Sequence, residues 1–163
     1  MEVVDFVDKL GMQAHPEGGY FAEIYRSSLT IGPKIAETEY PGERNLATSI
    51  YYILANNQVS KLHQLKSDEL WYYHYGSTLL VHVFFENKYT PYVLGIDVNE
   101  NQRPQIIIPA GAIFGAEVID KASFTLVGCV VTPGFHFSDF RLVSRDEMLA
   151  LYPDHNNIIH KLI

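Results

Sequence analysis

Two side chains open the chemical reading of this chain: His63 and Glu69, in the stretch His-Gln-Leu-Lys-Ser-Asp-Glu-Leu-Trp-Tyr-Tyr-His-Tyr-Gly at 63–76. An imidazole with a pKa near neutrality moves protons at physiological pH, and a carboxylate beside it can orient it. The same two groups also ligate Zn, Fe, Mn or Ni. A catalytic metal site needs at least three protein ligands. His74 and His82 are the nearest further candidates. His74 lies five positions from Glu69, so strand alternation turns it to the opposite face. For both histidines a satisfied surface or core role outweighs ligation. Without a metal, His63 and Glu69 can still form an acid–base pair, with Tyr73 the nearest candidate acid. Tyr73 and Trp71 share Glu69's parity, so Trp71 is expected to wall the pocket. For any one aromatic residue, plain core filling remains the simpler role.

A second group is His15-Pro-Glu-Gly-Gly-Tyr-Phe-Ala-Glu-Ile-Tyr-Arg at 15–26. Two consecutive glycines let the backbone turn tightly or approach another segment closely. Around them stand His15, Glu17, Tyr20, Glu23 and Arg26. They read equally well as pocket-lining groups or as salt bridges at the rim of a structured turn. A third group is Val-Thr-Pro-Gly-Phe-His-Phe-Ser-Asp-Phe at 131–140. Pro133-Gly134 marks a turn. The alternation of Phe135 and Phe137 with His136 and Ser138 then predicts a strand. His136 is expected to be exposed or hydrogen-bonded, and Asp139 to reach a pocket mouth.

Many short elements must position these groups. Residues 2–11 predict a helix with Val3, Phe6, Val7 and Leu10 on one face and Gly11 as its stop. Strands are expected at 20–27, 47–54, 60–65, 69–75, 78–85, 92–96, 105–108, 116–119 and 124–132. Turns fall at Asn56-Asn57, Gly76-Ser77, 86–88, 99–103 and 109–111. Residues 31–44, with two prolines and two glycines, read as a loop. Ser144-Arg-Asp-Glu147 is a capping box, so a helix begins at 145, and Pro153 interrupts it. Frequent turns between short β-branched and aromatic runs predict an all-β antiparallel sandwich or barrel with short helices at both termini.

At 163 residues the chain is expected to form one domain, 1–163. Its formal net charge is −7, with no Lys/Arg cluster. Nucleic acid and anionic membrane surfaces both demand a basic footprint, so neither is an expected partner. No apolar run reaches the length of a membrane span, and the acidic start lacks the basic region of a signal peptide. A cytoplasmic protein is expected. The one cysteine, Cys129, sits in an apolar run and reads as a buried small hydrophobe.

These blocks together resemble the cupin superfamily, and within it the small domain-of-unknown-function branch with an HPEGGYF signature, intact here at 15–21. His63, Glu69 and Gly76 occupy positions of the first cupin motif, and Pro109 and Gly111 positions of the second. Leu65 and Phe114 stand where that pattern has histidines. Two of the usual four metal ligands are thus hydrocarbon, and the expectation is no metal and no other cofactor. The resemblance implies a jelly-roll barrel, the cupin double-stranded β-helix, commonly as a homodimer. It also implies likeness to sugar epimerases, in which a pocket His removes a proton next to a carbonyl and a Tyr returns one. His136 and Phe137 depart from the branch, which often has an acidic and a less apolar residue there.

The expected function is small-molecule binding, with metal-independent isomerase or epimerase chemistry on a sugar or similar polar metabolite. His63, Glu69 and Tyr73 would carry it. His15, Glu17, Tyr20, Glu23, Arg26, Trp71 and Phe114 would line the pocket. A non-catalytic ligand sensor and a metal-dependent enzyme are the alternatives.

Overall fold

The computed structural model describes residues 2–35, 37–55 and 57–163. Among them, two antiparallel sheets enclose one core. The larger sheet runs in the order β1 (Gln13–Ala14), β2 (Tyr20–Arg26), β7 (Thr48–Ala55), β14 (Phe124–Thr132), β9 (Asp68–Gly76) and β12 (Gln105–Ile108). The smaller runs β11 (Lys88–Leu94), β10 (Leu79–Phe85), β13 (Ile113–Val118), β8 (Val59–Leu65) and β15 (Phe140–Leu142). Two short ribbons stand apart: β3 (Thr30–Ile31) with β6 (Arg44–Asn45), and β4 (Lys34–Ile35) with β5 (Thr38–Glu39).

The period-2 pattern explains how the sheets close. In β10, Leu79, Val81 and Val83 point into the core between the sheets, where they meet Tyr52, Leu54, Trp71 and Val127 of the larger sheet. Its other face carries Phe84, which packs with Leu62 and Ile113 under Met148, Ile159 and Leu162. Those last three belong to α2 (Arg145–Leu151) and α3 (Asn156–Leu162). The Ser144 hydroxyl accepts from the Glu147 N–H at 3.2 Å and starts α2 as its sequence predicts. The N-terminal helix, α1 (Val3–Lys9), lays Val3, Phe6 and Val7 on the outer face of the larger sheet. No helix among the described residues is long and apolar enough to cross a membrane.

Several local expectations change. The strand expected at 92–96 begins at Lys88, because Glu86 and Asn87 both take positive φ (49° and 60°) and form a two-residue hairpin turn. Pro91 is tolerated within β11 because that strand is a sheet edge. The strand expected from Phe135 is instead a 3₁₀ turn over Phe137–Asp139, capped by His136, whose Nδ1 accepts from the Ser138 N–H at 3.1 Å. Asp139 is buried and held bidentate by Arg44 at 2.5 and 2.8 Å, and it borders a surface cleft with Gln64, Lys66 and Arg141. This ion pair ties the 31–44 segment, which contains β4 and β5, to the turn before β15. Ala36 of that segment, and Asn56 of the expected Asn56-Asn57 turn, lie outside the described residues.

Candidate functional site

Strand β8 builds the centre of the site by breaking its own periodicity. Phe114 of β13 pairs with His63, but Ala116 pairs with Ser60, so two residues of β8 bulge opposite Gly115. Ser60 and His63, three positions apart, can therefore both face the interior. The bulge needs a glycine across from it: a Cβ on Gly115 would lie 2.7 Å from the Ser60 carbonyl oxygen. Within the bulge the Lys61 carbonyl accepts from His63 Nδ1 at 2.7 Å. A carbonyl can only accept, so Nδ1 carries the proton and Nε2 of the neutral ring presents its lone pair inward.

The turn at 15–19 supplies the partner. Gly18 (φ +116°) and Gly19 (φ +70°) occupy backbone conformations that other residues avoid. A Cβ on Gly18 would meet the Val59 carbonyl oxygen at 2.2 Å, and one on Gly19 the Ile53 oxygen at 2.4 Å. The turn thus lies directly against β7 and β8. The Tyr52 hydroxyl donates to the Gly18 carbonyl at 2.9 Å, and the Lys61 N–H donates to the Glu17 carbonyl at 2.8 Å. Held this way, the Glu17 carboxylate enters the barrel. Its Oε2 stands 3.2 Å from His63 Nε2, and its Oε1 accepts from the Ser60 hydroxyl at 2.9 Å. His15 Nδ1 lies 3.4 Å from the same Oε2.

The electrostatics follow from burial. His63 is 2% exposed, and burial pushes its pKa down to about 4. Burial raises the Glu17 carboxyl above its usual range, with His15 and the Ser60 hydroxyl pulling the other way. Glu17 and His63 meet at a distance that wants one proton between them, so they titrate as a pair. Glu69, from the start of β9, is 6% exposed. Burial pushes it up to about 8, with the Glu17 charge adding to this and the nearby Trp71 indole and Cys129 thiol opposing it. Neither Glu69 Oε2 nor Trp71 Nε1 has a hydrogen-bond partner among the described residues. Burial also raises Cys129 well above the usual thiol range, which fits an inert core thiol.

His63, Glu17, Glu69 and Trp71 line one inner chamber of about 20 Å³, room for a single water-sized group. A groove of about 230 Å³ adjoins it, walled by Phe21, Ile50, Val131, Phe135 and Phe137. His15, Ile50, Cys129 and Phe135 line both spaces and form the neck between them. At the groove's rim Glu23 pairs with Arg26 through two contacts of 2.7 and 2.9 Å.

The structure thus brings together most of the residues singled out from the sequence, with three exceptions and one change of partner. Tyr73 is not in the chamber. Its hydroxyl donates to the Gly76 carbonyl at 2.5 Å, at the far end of β9. Parity is kept, but four residues of extended chain carry it roughly 13 Å from Glu69. Tyr20 packs on the outer face of the larger sheet beside α1. Phe114 is buried against His63, with ring centroids 4.0 Å apart, but lines neither the chamber nor the groove. The carboxylate in contact with His63 is Glu17 rather than Glu69. Sequence reasoning placed Glu17 in the pocket without its role; an acidic residue directly before a Gly-Gly pair was the available signal. Among the other histidines, His74 faces outward against Tyr51, and His82 lies on the outer face of β10 beside Tyr89 and Glu117. His136 lines the groove.

The cupin pattern raises the question of a metal, and the residues present do not fit one. His63 Nδ1 is committed to Lys61 and Nε2 faces Glu17, while Leu65 and Phe114 contribute hydrocarbon. Among the described residues no group of three His, Cys, Asp or Glu side chains is placed to hold an ion.

The comparisons with known proteins agree with this architecture. A protein of Shewanella oneidensis, SO0799, is 37% identical, with a TM-score of 0.88 over 99% of this chain and 97% of that one. A hypothetical protein from Leishmania major is 31% identical, with a TM-score of 0.88 over 99% and 98%. The uncharacterized yeast protein YML079W (Saccharomyces cerevisiae) is 26% identical over 144 residues, which are 83% of this chain and 72% of that protein. The family described as Cupin superfamily (DUF985) matches residues 4–143, and the chain belongs to it.

Proposed function

We propose that this cupin is a metal-independent enzyme that moves a proton at a carbon next to a carbonyl, in the manner of an isomerase or epimerase. One observation carries the reading: a buried Glu17–His63 pair, 3.2 Å apart, beside a chamber that opens to a groove. In its ionised state the pair takes one proton from the substrate carbon. The C–H electron pair becomes a C=C bond, and the former carbonyl oxygen receives a hydrogen bond or a proton from Glu69. Reversal from the other face, or at the neighbouring carbon, returns the proton. A carboxyl with a raised pKa is the stronger base when ionised, and burial raises Glu17. A pair of titratable groups beside a carboxyl held neutral is a recurring arrangement for such chemistry.

The test is hydrogen exchange. Protein in D₂O is incubated with a panel of ketones, aldehydes and aldoses, and deuterium entry next to the carbonyl is followed by NMR. Wild-type protein exchanges at least one compound, and His63→Ala and Glu17→Gln slow this by about 10²–10⁴-fold. Exchange at the wild-type rate in both variants refutes the proposal. Occupancy of the groove without any exchange favours a binding module instead.

A further inference from the structure

Three features of the chamber and groove narrow the ligand. First, the chamber contains two buried polar atoms without a completed hydrogen bond: Glu69 Oε2, and Trp71 Nε1, which lies near the Glu69 carboxyl on a side chain that is 1% exposed. An unsatisfied buried polar group costs about 1–3 kcal/mol, and Trp71 Nε1 can only donate. An oxygen acceptor from a ligand, placed in the chamber, satisfies it. Second, the groove wall is mostly apolar, built by Phe21, Ile50, Val131, Phe135 and Phe137, with His15, Thr48, His136 and the Glu23–Arg26 pair as its polar members. Third, the described residues around both spaces include one Lys or Arg, Arg26, and it is spoken for. Its guanidinium donates to both Glu23 oxygens, to Asn45 Oδ1 at 2.8 Å and to the Phe135 carbonyl at 3.1 Å. With Arg26 engaged, no cation around the two spaces is left to hold a phosphate or carboxylate among the described residues.

We infer that the ligand is an uncharged, mostly apolar ketone or aldehyde of about one ring, its oxygen held in the chamber by Trp71 Nε1–H and the Glu69 carboxyl and its body in the phenylalanine-lined groove. The class deepens the proton-transfer reading above and rests on it for the choice of a carbonyl over another acceptor. Size sets the body: an apolar cavity of about 150 Å³ accommodates benzene, and this groove measures about 230 Å³. A nucleotide or a disaccharide exceeds it. Glu69, pushed up to about 8 by burial, is a carboxylic acid at neutral pH and so a second donor to the same oxygen. Two donors on one oxygen also stabilise an enolate more than the parent carbonyl, which is the requirement for catalysis. The chemistry differs from the sugar expected from the sequence, because the fold gives most of the groove wall to aromatic and aliphatic side chains.

Calorimetric titration at pH 7 tests this with four probes: cyclohexanone, phenol as an enol mimic, glucose, and glucose 6-phosphate. The first two bind and the sugars do not. Trp71→Phe weakens phenol binding about tenfold, and Glu69→Met does the same. Glu69→Gln, which keeps an N–H donor and the side-chain shape, stays within about twofold of wild type and guards against a folding artefact. Preferential binding of glucose 6-phosphate, or phenol affinity unchanged in Trp71→Phe and Glu69→Met, overturns the inference. The exchange assay on the same samples separates the two claims. Cyclohexanone bound without exchange removes the catalytic reading and leaves the ligand class standing. Exchange of a sugar phosphate removes the class and leaves catalysis.

Discussion

Replacing Glu69 by Gln should make this protein more stable, and increasingly so as the pH rises. The carboxyl ionises near 4.5 when solvated and near 8 when folded, because burial excludes the water that would solvate its charge. Between those values the folded state binds the proton and the unfolded state does not. Stability then falls as pH increases, since the slope follows protons bound unfolded minus protons bound folded. The interval is about 3.5 in pKa, and at about 1.4 kcal/mol for each the wild-type protein loses up to about 5 kcal/mol from this group between pH 4.5 and 8. Gln cannot ionise and loses none of it. Urea unfolding of both proteins from pH 4.5 to 9 measures the difference directly. The gap in favour of Glu69→Gln should widen by several kcal/mol up to pH 8 and then level. Groups common to both proteins, His63 and Glu17 among them, largely cancel in that difference. A gap independent of pH refutes the reasoning, because it would mean that Glu69 ionises in the folded protein as it does in water.

Three further outcomes are expected. Proton-transfer activity should fall above pH 8 as Glu69 loses its donor proton, and fall again in acid as the Glu17–His63 pair retains its own; the pH profile of exchange on the best substrate checks both limbs. Gly18→Ala should cost about 2–4 kcal/mol, from strain at φ +116° and a Cβ 2.2 Å from the Val59 oxygen, and should also lower exchange by displacing Glu17. Gly11→Ala, with φ +61° and no atom within 4 Å of the added Cβ, should cost about 1 kcal/mol and leave exchange intact, as thermal and urea melts can compare. Arg44→Leu should lose about 3–5 kcal/mol by leaving Asp139 buried without its partner, and the double variant Arg44→Leu/Asp139→Leu should recover part of that loss in urea unfolding.

Much of the scaffold was legible in the linear order of residues. Period-2 alternation located most of the strands of both sheets, and Ser144 with Glu147 marked the start of α2. These are local signals, since a strand's parity and a helix cap depend on neighbours a few positions away. The errors lay where a contact distant in sequence overrode the local pattern. Alternation at 135–138 yielded to a turn capped by His136 and anchored by the Arg44–Asp139 pair. Tyr73 kept the expected face yet missed the chamber, because parity specifies a side of the sheet but not a position along it.

The sequence by itself determined the alternating apolar positions, and hence a closed β structure with His63 and Glu69 near its interior. It also determined that Leu65 and Phe114 would offer no nitrogen where the cupin pattern has histidines. Only the tertiary structure decided that Glu17, not Glu69, touches His63. That contact joins residues far apart in the chain, through a Gly-Gly turn laid on β8 and a bulge that brings Ser60 and His63 to one face. It also decided that Arg26 would reach Asn45 and the Phe135 carbonyl and that aromatic rings would wall the groove. The physical reason is the same in each case. Local sequence sets which face a side chain takes, while the packing of sheets against one another sets which faces meet.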